Sequence, residues 1–363
     1  MKDFEHGGNI YNVSGQAEDC LDMSANINPL GMSEAVKSAV LSGIDGLIHY
    51  PDPQARELKN TIAARYNLNF NNIITLNGAA EFFYLFLNTF RPQQVLIPVP
   101  SFSEYERAAK AAGCQVHYFT TCTEANFNID FDKLLDTVRR ENINCLILGN
   151  PNNPTGTLPD RAEVLRILDA VDFVVVDESF VDFLGDDYSV RQLIRTHINL
   201  IVVHSLTKFF AIPGLRLGFA AADEGIIKRL ESGKDVWNVN FLAQKAGVAA
   251  LNDIQYITST RRLLAAERTF FKEHLQAIES IKVFEPTVNF VLMKFKTPHI
   301  AGKVIDELKR QKILVRSCGN FRGLDGSYIR TAIRSRQENI KLFESLNDTF
   351  GGEIYGKRQE TER

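Results

Sequence analysis

Residues 200–208 read Leu200-Ile201-Val202-Val203-His204-Ser205-Leu206-Thr207-Lys208, an apolar and β-branched run that ends in a polar turn. The apolar part predicts a short buried strand. The residues that follow it are expected to be irregular, because Pro213-Gly214 prevents a helix from running through them. A lysine at the mouth of a buried strand is costly unless its amine reaches solvent, pairs with an anion or becomes covalently linked. Taken alone, Lys208 would be read as part of a surface loop, so its interpretation depends on the rest of the chain.

The composition is that of a globular protein. The chain has 363 residues, of which 45% are hydrophobic, which is enough for one large domain with an appendage or for two domains. The formal net charge of −3 provides no global basic field to hold nucleic acid or an anionic membrane. The five cysteines are scattered without a C-x-x-C pair, which is typical of reduced thiols. No signal peptide or membrane-length apolar run is evident, so we expect a soluble cytoplasmic protein without nucleic-acid or membrane partners.

Strand and helix patterns alternate through the middle of the chain. Buried strands are predicted at 73–76, 95–99, 145–148, 173–176, 200–204 and 217–221, and amphipathic helices at 54–66, 79–90, 103–112, 131–141 and 160–169. Because these strands are continuously apolar rather than alternating, we expect a largely parallel sheet that is covered on both faces. In such a sheet, ligands bind beyond the carboxyl ends of the strands.

The last third of the chain predicts a second, smaller unit. A helical pattern extends to about residue 278, followed by short strands at 281–284, 290–293 and 313–316 and a closing helix near 336–349. We divide the chain into an N-terminal segment 1–48 that completes the small domain, a large cofactor-binding domain 49–250, a small C-terminal domain 251–350 and a disordered tail 351–363.

Polar clusters follow several of the predicted strands, and each has a purely structural alternative. Asn77-Gly78-Ala79-Ala80-Glu81 opens a helix as a phosphate cradle or as a plain tight turn. Phe102 could stack on a planar ring or belong to the core. Asn150-Pro151-Asn152-Asn153-Pro154 could aim an amide at a ligand or simply stiffen a loop. Asp177 ends the most apolar strand, as a helix N-cap or as the partner of a buried cation.

Taken together, these clusters suit pyridoxal phosphate. That cofactor needs a lysine for covalent attachment, a carboxylate for its pyridine nitrogen, a stacking ring, and a helix N-terminus with Ser and Arg for its phosphate. Their order along the chain resembles the aspartate-aminotransferase fold family (fold type I) from about residue 20 to 345. The resemblance implies an α/β fold: a large domain with a mostly parallel seven-stranded sheet flanked by helices, plus a smaller α+β domain.

The same resemblance implies roles for individual residues. Lys208 would be the Schiff-base lysine and Asp177 the partner of the pyridine nitrogen, and these two residues would be catalytic. Asn153 would reach the ring oxygen and Phe102 would stack on the ring. The cofactor phosphate would be held by Gly78, Ala79, Ala80, Ser205 and Arg216. Tyr50 would reach that phosphate from a second subunit, so the resemblance implies a homodimer with shared active sites.

Further motifs narrow the substrate. Asp177-Glu178-Ser179-Phe180 stands where aminotransferases usually have D-x-A-Y, so a phenol beside the ring oxygen is missing. The chain begins with His6-Gly7-Gly8-Asn9, contains S-A-N-I-N-P-L-G at 24–31 and carries a distinctive segment at 315–335. With residues 205–218, these motifs resemble the threonine-phosphate decarboxylases of cobalamin synthesis, whose nearest relatives are the histidinol-phosphate aminotransferases.

A small phosphorylated amino acid carries a carboxylate and a phosphate, and therefore needs two cationic clamps. By resemblance, Arg330 would bind the α-carboxylate, and Arg316 with His6 would bind the phosphate. The candidate substrate-binding set is His6, Gly8, Asn9, Asn26, Asn153, Arg316, Arg330 and Arg334. For any one of these arginines the alternative is a surface salt bridge, and for His6 it is a structural role.

Three functions fit these patterns. The first is decarboxylation of L-threonine O-3-phosphate to (R)-1-aminopropan-2-yl phosphate for the cobalamin nucleotide loop, which the resemblance favours. The second is a histidinol-phosphate aminotransferase, because the choice between loss of CO₂ and transamination depends on which α-bond stands perpendicular to the cofactor ring. The third is a non-catalytic regulator that binds pyridoxal phosphate. The seven histidines lack metal-binding spacing, so we expect no metal site.

Overall fold

A seven-stranded sheet organises the larger part of the fold. The structure, a computed structural model, describes residues 6–10, 20–276, 278 and 280–349. The strands in chain order are β1 (Leu21–Asp22), β2 (Ile73–Leu76), β3 (Gln94–Val99), β4 (Gln115–Thr120), β5 (Cys145–Gly149), β6 (Phe173–Asp177), β7 (Leu200–Ser205), β8 (Gly218–Ala221), β9 (Ile281–Val283), β10 (Phe290–Phe295), β11 (Ile313–Leu314), β12 (Arg316–Ser317) and β13 (Tyr328–Ala332). The α-helices are α1 (Glu34–Gly43), α2 (Arg56–Tyr66), α3 (Ala79–Phe90), α4 (Ser103–Ala111), α5 (Phe131–Arg140), α6 (Arg161–Leu168), α7 (Leu206–Phe209), α8 (Glu224–Gly233), α9 (Phe241–Asn252), α10 (Ile254–Gln276), α11 (Pro298–Arg310) and α12 (Arg336–Thr349).

The large sheet has the strand order β2-β8-β7-β6-β5-β3-β4. Strands β4, β3, β5, β6 and β7 are parallel, and β8 runs antiparallel to both of its neighbours, β7 and β2. The predicted α/β fold with a mostly parallel seven-stranded sheet is therefore confirmed. Strand β4 was not predicted, because it lies at the edge of the sheet and most of its side chains are only partly buried.

Both faces of the sheet are covered, which explains why the central strands are apolar at consecutive positions. On one face, Val175 and Ile201 pack with residues of α3, α4 and α8 such as Phe82. On the other, Val174 and Leu200 pack with residues of α2, α5 and α6. This burial on two sides removes a large apolar area from water and holds the carboxyl ends of the strands in one rigid frame.

The C-terminal part forms a four-stranded antiparallel sheet in the order β12-β13-β10-β9. Strand β1 joins this part of the fold by pairing in parallel with β11. The amide of Ala332 also donates to the carbonyl of Met23 at 2.7 Å. Strand β13 was not predicted as a strand. The domain boundaries that we derived from the sequence stay a prediction, and the tail 351–363 lies outside the described residues.

Within the described ranges, no helix combines the length and the apolar content needed to cross a bilayer. The longest, α10, has 23 residues but carries charged side chains along its length. Its residue Thr260 is fully buried and accepts a hydrogen bond from Asn28 at 2.7 Å. This bond connects the helix to the N-terminal segment beside α7, the turn that carries Lys208 (the lysine turn).

Candidate active site

A cleft of about 500 Å³ opens beyond the carboxyl ends of β6 and β7. This is the position that a parallel sheet favours for a ligand. The cleft brings together many of the residues that the sequence singled out: His6, Gly8, Asn26, Ala79, Ala80, Phe102, Asn153, Asp177, Ser205, Lys208, Arg216, Arg316 and Arg330.

The other candidates lie outside this lining. Gly78 adjoins it, next to the guanidinium of Arg216. Asn9 is exposed, and Arg334 is held by Glu338, with 2.9 Å between Nη2 and Oε1. Tyr50 is 76% exposed and stacks on Trp237, with 4.3 Å between the ring centroids. The roles assigned to these residues from the sequence remain predictions.

Lys208 lies on the single helical turn of α7, directly after β7. The sequence predicted an irregular stretch here; instead, the stretch starts with the helical turn of α7, and a short 3₁₀ helix follows at Pro213–Leu215. The Lys208 Nζ donates to the hydroxyl of Ser205 at 3.1 Å. The turn is fixed from behind, because Asn28 donates its amide to the carbonyl of Lys208 at 3.0 Å and its side chain to that of Phe209 at 2.7 Å.

The electrostatic surroundings make the Lys208 amine easy to deprotonate. Burial lowers its pKa to about 8, since desolvation disfavours the charged form. The nearby carboxylate of Asp177 opposes this by raising the pKa, whereas the cations of Arg216 and Arg330 lower it further. At pH 7 about a tenth of this lysine is therefore a nucleophilic free amine, far more than for an ordinary lysine.

Asp177 lies at the end of β6 and is 6% exposed. Its Oδ2 accepts a hydrogen bond from the hydroxyl of Tyr105 at 2.6 Å, and its Oδ1 accepts one from the amide of Ser179 at 2.9 Å. Burial, followed by the neighbouring carboxylate, raises the pKa of Tyr105, so its hydroxyl stays a donor. These two donors orient a buried carboxylate toward the cleft.

Tyr105 is a site residue that sequence reasoning missed. It lies in the first turn of α4, three positions after Phe102, which directly precedes the helix. Their rings are 5.6 Å apart and nearly perpendicular. The position of Tyr105 three residues after Phe102 could have drawn attention to it. Only the contact with Asp177 shows what its hydroxyl does.

The N-terminus of α3 forms a cradle with Arg216. Gly78 has a φ of +81°, and a Cβ at this position would lie 2.2 Å from the Nη2 of Arg216. No side chain caps the helix at Gly78. The glycine makes a tight turn and lets a guanidinium approach the first amides of a helix, where an anion is favoured. Its role in holding a phosphate stays a prediction.

Arg330, on β13, is buried and faces Asn153 across the cleft. Its guanidinium donates to the Oδ1 of Asn153 and, at 2.7 Å, to the carbonyl of Ser24. Its Nε has no hydrogen-bond partner among the described residues, and the same is true of the buried Oδ1 of Asn26. Burial lowers the pKa of Arg330 to about 10, and the cation of Arg316 contributes to this shift. A bound ligand could satisfy both orphaned atoms.

Arg316 and His6 supply further polar groups to the lining. Arg316 is 8% exposed, donates from Nη2 to the Oδ1 of Asn320 at 2.7 Å and lies 5.1 Å from the ring centroid of Phe321. The Nε2 of His6 lies 2.8 Å from a carboxylate oxygen of Glu104, and its ring is tilted against Phe102. Among the described residues, no group of His, Cys, Asp and Glu side chains is placed to hold a metal ion.

The aminotransferase class I and II family matches residues 18–346. This chain belongs to that family. It is 33% identical to the threonine-phosphate decarboxylase of Salmonella typhimurium, over 96% of this chain and 97% of the relative. It is also 33% identical to the adenosylcobalamin biosynthesis bifunctional protein of Leptospira interrogans, where 98% of this chain covers 42% of the relative.

Among solved structures, the histidinol-phosphate aminotransferase from Clostridium acetobutylicum superposes with a TM-score of 0.85 at 33% identity, covering 91% of this chain and 99% of that one. The fold and the resemblance to threonine-phosphate decarboxylases that we inferred from the sequence are therefore confirmed.

Proposed function

We propose that this chain is a pyridoxal-phosphate-dependent decarboxylase that converts L-threonine O-3-phosphate to (R)-1-aminopropan-2-yl phosphate for the cobalamin nucleotide loop. The observation that carries the proposal is one cleft that holds a reactive lysine, a buried acid and two buried arginines, namely Lys208, Asp177, Arg316 and Arg330. The similarity to the Salmonella typhimurium enzyme over almost the whole chain supports it.

The residues of the cleft fit pyridoxal phosphate. The cradle formed by Gly78 and Arg216 suits its phosphate, because a side chain at Gly78 would fill the space. Lys208 offers an amine with a lowered pKa for covalent attachment, and Asp177 would hold a proton on the pyridine nitrogen. Phe102 lines the same cleft and would stack on the ring. When bound, the cofactor supplies an electron sink for the bond that breaks at the substrate α-carbon.

The two arginines suit a substrate with two anionic groups. The Arg316 cation contributes to the lowered pKa of Arg330, so the guanidinium groups repel each other and an anion between or beside them would relieve that repulsion. Arg330, with an unpaired Nε, would take the α-carboxylate, and Arg316 with His6 would take the phosphate. Asn26 and Asn153 would orient the amino acid between them.

In this proposal, the carboxylate leaves the α-carbon as CO₂, and a proton replaces it there. Lys208 is the group that would deliver the proton, since its amine lines the cleft and its pKa of about 8 lets it act as an acid near neutral pH. Phe180 lines the cleft, and the Lys208 Nζ lies 5.6 Å from its ring centroid. The lysine therefore faces an apolar ring here rather than a phenol.

The test is incubation of the holoenzyme with threonine phosphate, followed by mass spectrometry of the product and measurement of CO₂. We expect stoichiometric 1-aminopropan-2-yl phosphate and CO₂, and no reaction with Lys208→Ala. Arg316→Ala should raise KM for threonine phosphate while leaving the affinity for pyridoxal phosphate unchanged. No CO₂ at any substrate concentration would refute the proposal.

A second candidate is a histidinol-phosphate aminotransferase, which the similarity to the Clostridium acetobutylicum structure favours. Both reactions use the same lysine and the same acid, and they differ in which α-bond is held perpendicular to the ring. Incubation with histidinol phosphate and a keto acid separates the two, because transamination consumes the keto acid without releasing CO₂. Consumption of the keto acid would favour this second function.

We also infer a homodimer with shared active sites. Large apolar side chains are exposed in the segment that leads to Tyr50, including Leu41, Leu47 and Ile48, and Trp237 continues the patch beside Tyr50. A second copy of the chain would cover this surface and receive Tyr50 at its cofactor phosphate. Light scattering should give a dimer. Mixing Lys208→Ala with Tyr50→Ala subunits should restore about a quarter of the activity, because a heterodimer then has one complete site; no recovery in confirmed heterodimers would refute sharing.

The cytoplasm is the compartment that we propose for this enzyme. None of the five cysteines, all of which lie in the described ranges, forms a disulfide bond, and Cys122 is exposed to solvent. An exposed thiol is compatible with a reducing compartment, where disulfides rarely form. Cell fractionation would test the location, and enrichment of the protein outside the cytoplasmic fraction would contradict it.

A further inference from the structure

The loop between β12 and β13, residues 318–327, supports Arg316 from one side. Asn320 accepts a hydrogen bond from the Arg316 guanidinium at 2.7 Å, and the ring of Phe321 lies against the same guanidinium. Phe321 itself lines the cleft. The position of the 318–327 loop therefore influences where Arg316 places its charge.

The next residue of the loop ties it to the large sheet and its helices. Arg322 donates from Nε to one carboxylate oxygen of Glu106 at 3.1 Å and from Nη2 to the other at 2.8 Å. Its guanidinium also lies 4.0 Å from the ring centroid of Tyr118. Glu106 belongs to α4 and Tyr118 to β4, so this contact joins the C-terminal part of the fold to the helix that carries Tyr105 and directly follows Phe102.

This geometry is more specific than that of most surface ion pairs. A planar guanidinium that meets a carboxylate through two parallel hydrogen bonds and stacks on an aromatic ring has a defined orientation. The Glu106 side chain is 14% exposed, and Lys110 also donates to it, at 2.5 Å. Although burial acts to raise it, the pKa of Glu106 is lowered to about 2 by hydrogen bonds from Arg322, Lys110 and Tyr118. The carboxylate therefore stays ionised at physiological pH.

We propose that Arg322 and Glu106 are positioning residues for the substrate phosphate, which act by fixing the 318–327 loop and with it Arg316. The inference rests on the proposed function in that Arg316 is taken to bind the phosphate group. If the tie is removed, the loop gains freedom that must be lost again when an anion binds, so affinity falls. Asp177 lies on β6 and Lys208 on α7, both outside the 318–327 loop, so kcat should change little while KM rises.

The test uses the holoenzyme, whose cofactor occupies its own phosphate site, and titrates it with inorganic phosphate by calorimetry. Arg322→Gln should weaken phosphate binding by about fivefold, the upper end of what a partly exposed ion pair contributes. Glu106→Gln should weaken phosphate binding by a similar factor. The double variant should lose no more affinity than either single variant, because both substitutions remove the same Arg322–Glu106 pair. Arg322→Lys should recover part of the affinity. Arg139→Gln is the matched control, because Arg139 forms an exposed pair with Asp136 on α5.

Hydrogen exchange provides the readout that links the affinity to the loop. Amides of the 318–327 loop should exchange faster in Arg322→Gln than in wild type and Arg139→Gln. In turnover of threonine phosphate, Arg322→Gln should raise KM at nearly unchanged kcat. Wild-type phosphate affinity in Arg322→Gln, additive losses in the double variant, or no phosphate binding by the wild-type holoenzyme would each overturn the proposal. A wild-type enzyme that binds phosphate but releases no CO₂ would refute the proposed function alone, and the phosphate titrations would still decide the role of Arg322.

Discussion

The lowered pKa of Lys208 has a consequence for how the apoprotein captures its cofactor. Only the neutral amine can attack the aldehyde of pyridoxal phosphate. With a pKa of about 8 rather than the ordinary 10.5, about half of Lys208 is neutral at pH 8, whereas an ordinary lysine would be roughly 0.3% neutral. The protein therefore offers roughly 150 times more reactive amine at that pH. The rate at which the apoprotein captures the cofactor should therefore rise with pH and level off above about pH 8.

The perturbation that tests this reasoning is Asp177→Asn. Because the Asp177 carboxylate raises the pKa of Lys208, its neutralisation should move the midpoint of the pH profile below that of the wild type. Stopped-flow absorbance after mixing apoprotein with pyridoxal phosphate measures the rate. A lysine peptide treated in parallel corrects for titration of the cofactor, and Lys208→Ala should show no capture. A wild-type midpoint near 10.5, or an upward shift in Asp177→Asn, would refute the electrostatic account.

Other substitutions probe the surroundings of these two residues. Lys208→Ala should lose the visible absorbance of the attached cofactor and nearly all turnover, and substantial remaining activity would contradict its role. Tyr105→Phe removes a hydroxyl that donates to the Asp177 carboxylate; such a bond contributes about 1.5–3 kcal/mol, so kcat should fall by roughly 10- to 150-fold at saturating cofactor. An unchanged kcat would show that the hydrogen bond from the Ser179 amide is enough to hold the Asp177 carboxylate in place. Asn28→Ala removes two buried hydrogen bonds behind the lysine turn and should lower the free energy of unfolding in urea by about 1–3 kcal/mol.

The parts of the fold that the sequence predicted are those whose environment is uniform. Strands β5, β6 and β7 are buried on both faces, so their apolar runs identified them directly. Strand β4 has one partner and partly exposed side chains, and its mixed composition resembled a loop. Strand β13 carries Arg330 at a buried position that lines the cleft. A charged residue inside a buried strand interrupts the apolar pattern by which the strand would be identified.

The candidate site shows the same division. Lys208, Asp177 and Arg330 were predicted because their residue types and order suggested a known chemistry, and the structure places them in one cleft. Tyr105 and Arg322 were not predicted as site residues, since their importance depends on contacts between segments that are far apart in the chain. A tyrosine or an arginine on its own has many ordinary explanations, and only spatial proximity to a carboxylate distinguishes these two.

The pairing of β1 with β11 constrains the order in which a newly made chain can become active. Leu21 and Asp22 leave the ribosome early, whereas their partners Ile313 and Leu314 are synthesised almost 300 residues later. The hydrogen bond from Arg330 to the carbonyl of Ser24 likewise forms only after Arg330 has been synthesised. The large sheet could assemble during translation, but the cleft would be complete only after β11 and β13 had been synthesised, so chains truncated before β11 should be unable to bind substrate even where their central sheet has formed.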